Sequence, residues 1–216
     1  MCNHDGQGPS LDTLLANNRQ WADAMRAEDP EFFPRLAREQ TPKFLWIGCA
    51  DSRAPANQIV GLRPGELFEH RNVANVVNHT DMNCMAVLQY AVKVLKVRHV
   101  IVCGHYNCGG VKAALGHAQF GMIDSWLRHI KDVYQTHRQE LEQLSSESER
   151  VDRFCELNVV EQVQHVCATT IVQNAWSQGQ ELAVHGWIYG LTDGRINDLG
   201  VTVHGPEGIP DIYRMS

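Results

Sequence analysis

Two apolar runs of strand length each lead into metal-binding side chains, and this pairing constrains the chain more than any other feature. Residues 43–48 (Lys-Phe-Leu-Trp-Ile-Gly) run straight into Cys49. Residues 98–104 (Arg-His-Val-Ile-Val-Cys-Gly) run into His105, with Cys108 three positions on. A continuous apolar run marks a strand buried on both faces, as in a parallel sheet. In open sheets of that kind, ligands sit beyond the carboxyl ends of the strands. The two runs therefore bring residues distant in sequence to one edge.

The other elements alternate accordingly. Residues 66–73 and 181–188 read as further strands, and 200–203 as a last strand at the sheet edge. A helix is expected over 81–95, where Met85, Leu88, Val92 and Leu95 recur at helical spacing. A short one follows over 111–115, then two long ones over 123–144 and 150–177, separated by a polar break at 145–148. Val159, Val163, Val166, Thr170 and Ile171 are the expected buried stripe of the second. This pattern predicts an α/β fold: a mostly parallel central β-sheet flanked by helices. Ahead of it, Ser10 caps a helix carrying Leu11, Leu14, Leu15, Trp21 and Met25, which Pro30 ends, and 31–38 form a second short helix. This N-terminal helical arm (10–40) has an apolar stripe with little chain nearby to cover it. Packing on a second subunit and packing on its own domain are both open.

At 216 residues the chain reads as one domain, 10–216, behind a disordered tail, 1–9. The tail lacks the basic and apolar regions of a secretory signal, and no apolar run approaches the roughly 20 residues of a membrane span. The net charge of −6 argues against nucleic acid or an anionic membrane as partner. Seven cysteines without a small-domain disulfide pattern point to reduced thiols and a cytoplasmic location. Cys84, Cys103, Cys155 and Cys167 lie in apolar or helical stretches and read as buried small hydrophobes.

Cys49, His105 and Cys108 offer two thiolates and an imidazole, with the carboxylate of Asp51 as a fourth candidate ligand. That set suits one Zn²⁺ per chain. A catalytic zinc keeps a position open, and Arg53 stands two residues from Asp51, able to draw it away as a bidentate ion pair. Released, Asp51 becomes an acceptor for a zinc-bound water, which zinc makes acidic enough to yield hydroxide near neutrality. Backbone N–H groups at Cys108, Gly109 and Gly110 are placed to orient an anion. Two other readings stay open: Cys49 and His105 as nucleophile and base, and Asp51–Arg53 as a loop salt bridge.

The segments Cys49-Ala-Asp-Ser-Arg53, His70-Arg-Asn-Val-Ala-Asn75 and Gly104-His-Tyr-Asn-Cys-Gly-Gly110 together resemble the β-class carbonic anhydrases of bacteria. Glu156-Leu-Asn-Val159 and His185-Gly-Trp-Ile-Tyr-Gly190 extend the resemblance, which runs from about residue 10 to 200. It implies reversible hydration of CO₂ to bicarbonate and a proton by zinc-bound hydroxide. Cys49, His105 and Cys108 would be permanent ligands; Asp51 would be the fourth ligand or, paired with Arg53, the hydroxide acceptor. Val73 would contribute to the apolar wall where CO₂ rests. It also implies a homodimer or homotetramer, with the arm embracing the neighbouring subunit.

Trp46, Arg71 and Tyr189 match the positions that form a non-catalytic bicarbonate pocket in one subgroup of this family, where bicarbonate and low pH favour Asp51 on zinc. The resemblance therefore also implies allosteric inhibition by bicarbonate. Rival functions are a zinc-stabilised bicarbonate sensor with little turnover, a hydrolase of carbon disulfide or carbonyl sulfide on the same scaffold, and a thiol enzyme.

Overall fold

The computed structural model describes residues 8–215. Most of the expected tail, with Cys2, lies outside the described residues. The chain divides into two compact units, one ending at Gln40 and the other starting at Thr41.

The first unit holds α1 (Leu11–Glu28) and α2 (Phe32–Arg38). Ser10 caps α1 as expected, its Oγ accepting from Thr13 N at 3.2 Å. Asp29 shapes the turn between the helices: it accepts from Glu31 N at 3.1 Å and pairs with Arg35. Trp21 meets Phe33 edge-on, centroids 5.7 Å apart. Leu11, Leu14 and Leu15 of α1 are exposed.

The second unit runs β1 (Phe44–Cys49), α3 (Ala56–Ile59), β2 (Leu67–Asn72), α4 (Met82–Gln89), β3 (His99–His105), α5 (Gly109–Leu115), α6 (Ile123–Thr136), α7 (Arg138–Glu142), α8 (Glu147–Cys167), α9 (Thr170–Ser177), β4 (Ala183–Tyr189) and β5 (Ile196–Asp198). A single 3₁₀ turn, Val73–Asn75, follows β2. The sheet order is β2-β1-β3-β4-β5; the first four strands are parallel and β5 is antiparallel to β4. The mostly parallel sheet flanked by helices is as the sequence predicts.

Alternate residues of the strands face two different cores. Leu45, Ile47, Val100 and Val102 join Val159, Val163 and Val166 of α8. Trp46, Ile101 and Cys103 point to the other side, with Ala56 of α3. A third cluster lies beyond the strand ends, where Cys49 and Cys108 meet Val111, Leu127, Phe154 and Ile188.

The helix expected over 81–95 is α-helical only to Gln89 and continues as a π turn, Tyr90–Val94. Four other boundaries differ from expectation, each for a local reason. The edge strand is β5, not 200–203. Asp198 accepts from Gly200 N at 2.8 Å and Gly200 turns left-handed (φ 68), so of the later residues only Val203 bridges Val184. The expected 123–144 helix breaks at His137, whose backbone leaves the helical region (φ −104, ψ 17). The polar break is shorter than expected because Ser146 caps α8, accepting from Glu149 N at 3.3 Å. Thr169 caps α9 and splits the second long stretch, which leaves Thr170 exposed rather than in the buried stripe.

Candidate metal centre

Three chain reversals carry the centre. β1 ends at Cys49 and β3 ends at His105, neighbours across the sheet edge. Asn107 then takes a left-handed conformation (φ 58) that Asn tolerates, so Cys108 returns as the cap of α5. Gly110 lets that helix start close in: a Cβ there would lie 2.9 Å from Val73 Cγ1 and 3.1 Å from Ala74 Cβ.

Cys49, His105 and Cys108 are all buried, and their ligand atoms lie within 4.8 Å of one another. Among the described residues they form the one such group. The two sulfurs are 3.9 Å apart. His105 Nδ1 donates to Tyr106 O at 2.9 Å, which fixes the ring. Its Nε2 is buried without a hydrogen-bond partner, beside the sulfurs. A buried acceptor nitrogen left unpaired is costly unless something binds it. Two sulfurs and that lone pair are the donor set of a zinc site.

The electrostatics agree. The Cys108 thiol donates to Cys49 and lowers the Cys49 pKa, with help from His105 and the backbone N–H groups of Asp51 and Ala74, against the cost of burial. The negative Cys49 sulfur, then burial, pushes Cys108 up. Without metal the pair thus shares one proton that a divalent cation would displace. Burial depresses His105, but the negative Cys49 sulfur beside it outweighs that cost and raises the imidazole pKa. By contrast Cys84, Cys155 and Cys167 are pushed up to about 12 by burial and are inert core thiols, as expected.

Asp51 faces this group with Oδ2 3.6 Å from His105 Nε2. Arg53 holds both carboxylate oxygens, Nε to Oδ1 at 2.9 Å and Nη2 to Oδ2 at 2.6 Å, and its backbone N–H adds a third bond at 2.9 Å. The guanidinium, more than any other group, keeps the carboxyl well below the usual carboxylate range. Val73 is half-buried at the rim beside Gly110, and Gly109 is exposed.

The other three singled-out residues lie alongside. Trp46 and Tyr189 share the sheet face that carries Cys103. The Trp46 indole covers Gly48, where a Cβ would come within 2.4 Å of Nε1. Arg71 is paired in register with Gly48, and its guanidinium donates to Cys49 O at 2.9 Å, Asp51 O at 2.6 Å and Ala54 O at 3.2 Å. It thus ties down the loop that bears Asp51.

Sequence reasoning gave no role to the backbone of Ala74, which donates to Cys49 Sγ at 3.3 Å, nor to the buried amides of Asn158 and Gln162 behind it. The available signal was a polar row, Asn158-Gln162-His165, directly beside the apolar row Val159-Val163-Val166 of the same helix.

A family model described as carbonic anhydrase matches residues 44–196. The structure of a Coccomyxa β-carbonic anhydrase in complex with acetazolamide superposes with a TM-score of 0.88 at 42% identity, covering 93% of this chain and 90% of that one. The chain belongs to the β-class carbonic anhydrases. A carbonic anhydrase of Emericella nidulans is 47% identical over 90% of this chain and 85% of its own length. A structure of tetrameric β-carbonic anhydrases from Sordaria macrospora matches with a TM-score of 0.84 at 41% identity, covering 89% of this chain and 98% of that one. β-Carbonic anhydrases are zinc enzymes that hydrate CO₂, and the Cys49–His105–Cys108 group fits the metal. No helix among the described residues is long and apolar enough to cross a membrane.

Proposed function

We propose that this β-carbonic anhydrase works with Cys49, His105 and Cys108 as its three fixed zinc ligands and with Asp51 and Arg53 as the pair that handles the proton of the attacking water. Zinc held there supplies a Lewis acid that lowers the pKa of a bound water toward neutrality. The observation that carries the assignment is the two-pronged grip of Arg53 on Asp51, 3.6 Å from the unpaired His105 Nε2. Held ionised, Asp51 accepts a hydrogen bond and orients the attacking oxygen. The apolar rim at Val73 suits a linear, uncharged substrate, and the N–H groups at Gly109 and Gly110 suit the bicarbonate product. With Arg53 holding Asp51, a metal bound by the other three residues would keep a place for solvent.

Bicarbonate regulation rests on Trp46, Arg71 and Tyr189. Arg71 already bonds Cys49 O, Asp51 O and Ala54 O. An oxyanion drawing the guanidinium away would loosen the loop that carries Asp51, and indole N–H and phenol O–H donors stand on the same sheet face. Self-association rests on the exposed Leu11, Leu14 and Leu15 of α1, which a second subunit would cover, and on the tetrameric state stated for the Sordaria macrospora relatives. A cytoplasmic location rests on Cys84, Cys103, Cys155 and Cys167, which are buried free thiols among the described residues and are not metal ligands.

Stopped-flow CO₂ hydration on zinc-quantified protein tests the assignment. Turnover that disappears in Asp51→Asn with zinc retained supports it; full turnover in that variant removes Asp51 from the chemistry.

A further inference from the structure

Helix α8 presents Val159, Val163 and Val166 to the core, all fully buried, yet one stripe of it is polar. Asn158, Gln162 and His165 follow at helical spacing, i, i+4 and i+7, and therefore share a face. Asn158 and Gln162 are 1% and 0% exposed, as buried as the valines. Their polar atoms converge on residues 74–77. Asn158 Nδ2 donates to Ala74 O at 2.9 Å. Gln162 Oε1 accepts from Val77 N at 2.8 Å, and its Nε2 donates back to Asn158 Oδ1 at 3.2 Å. His165 Nδ1 donates to Val77 O at 2.9 Å. From the other side, Asn72 makes a two-way pair with Val76, accepting its N–H at 2.8 Å and donating to its carbonyl at 2.7 Å.

The clamped segment needs holding. Ala74 (φ 64, ψ 31) and Asn75 (φ 49) are consecutive left-handed residues, and Ala has no side chain that favours that region. Such backbone persists only where its surroundings over-determine it. In this conformation the Ala74 N–H points at Cys49 Sγ, 3.3 Å away. A hydrogen bond to a ligating sulfur draws charge from it and leaves the metal the stronger Lewis acid.

We propose that Asn158, backed by Gln162, is a positioning residue for CO₂ hydration: it locks Ala74 in the left-handed conformation that hydrogen-bonds the Cys49 sulfur, and so sets how strongly that sulfur donates to zinc. The inference rests on the metal assignment above and deepens it. Asn158 touches neither metal nor substrate; it acts through a peptide unit.

The test uses the full chain loaded with Co²⁺ in place of zinc, whose sulfur-to-cobalt charge-transfer band reports sulfur donation directly. Wild-type protein that binds neither zinc nor cobalt overturns the metal assignment itself, before any variant is compared. With that settled, Asn158→Leu is expected to keep its metal, to move the band to longer wavelength and to lower kcat about tenfold. Adding Ala74→Gly, which reaches the left-handed region without a Cβ, is expected to return the band and most of kcat. If the leucine variant fails to fold, Asn158→Ser, which is smaller and still polar, carries the same readings. A wild-type band in the Asn158 variant, or a shifted band that Ala74→Gly leaves in place, overturns the proposal.

Discussion

Arg53 binds both carboxylate oxygens of Asp51, through Nε at 2.9 Å and Nη2 at 2.6 Å, while Asp51 Oδ2 stays 3.6 Å from His105 Nε2. The two partners are unequal in exposure: the Asp51 side chain is 16% exposed and that of Arg53 52%. Solvent screening makes such a pair a weak contributor to stability. Its value lies in where it puts the carboxylate, ionised and beside the metal ligands but held by Arg53. Arg53→Ala is expected to lower CO₂ hydration about a hundredfold, as loss of a positioned proton acceptor does, with the urea midpoint and zinc content almost unchanged. Arg53→Lys, which lacks the planar fork, should recover little of it. A rate near wild type in either variant removes the pair from the mechanism.

Gly104 precedes His105 and packs tightly. A Cβ there would stand 2.6 Å from Val159 Cγ2 and 3.3 Å from Asn75 Oδ1. Valine is stiff and fully buried here, so it gives way only by moving α8. Gly104→Ala is expected to cost about 1–3 kcal/mol of stability, the usual penalty of overpacking. Chemical denaturation measures it, and an unchanged midpoint contradicts this packing.

His165 makes stability depend on pH. Burial, opposed by its bond to Val77 O, lowers its pKa from the ordinary value. The folded pKa therefore sits below the unfolded one, near 6.5 (about the model-peptide value). Between the two, the unfolded chain binds more protons, so stability rises with pH; it is complete above about 6.5 and erodes as pH falls below that. His165→Gln removes this contribution. Denaturation midpoints at about pH 7.5 and about pH 5.5, on either side of the free imidazole value, should fall further for wild type than for the variant. An equal fall shows that His165 does not titrate in this way.

Bicarbonate should inhibit through the Trp46–Arg71–Tyr189 face rather than at zinc. Tyr189→Phe removes one donor from that face and leaves the metal ligands alone. Inhibition curves near neutral pH are expected to shift to higher bicarbonate in this variant, with zinc content unaltered. Curves that superpose on wild type eliminate regulation from this face.

The strands and ligands were the legible part of the sequence. β1 and β3 are continuous apolar runs because both of their faces are buried, and ligands at strand ends announce themselves by residue type. The edge of the sheet was not legible. β5 has three residues, none fully buried, so its sequence carries no burial pattern, and the turn at Asp198–Gly200 decides where it stops. Breaks within helices were hidden for a similar reason: the apolar spacing of α6 and α8 says nothing about the backbone at His137 or the cap at Thr169. The Ala74 N–H on Cys49 was out of reach, since neither an alanine nor a backbone donor advertises chemistry.

The central claim is that Cys49, His105 and Cys108 hold one catalytic zinc, and metal quantification on the full-length protein tests it most directly. Elemental analysis of wild type, paired with CO₂ hydration on the same samples, should find about one zinc per chain, as three protein ligands with an open fourth position imply. Cys108→Ser should lose both the metal and the turnover together. Active wild type without stoichiometric zinc, or a Cys108→Ser protein that still hydrates CO₂ at the wild-type rate, contradicts the account.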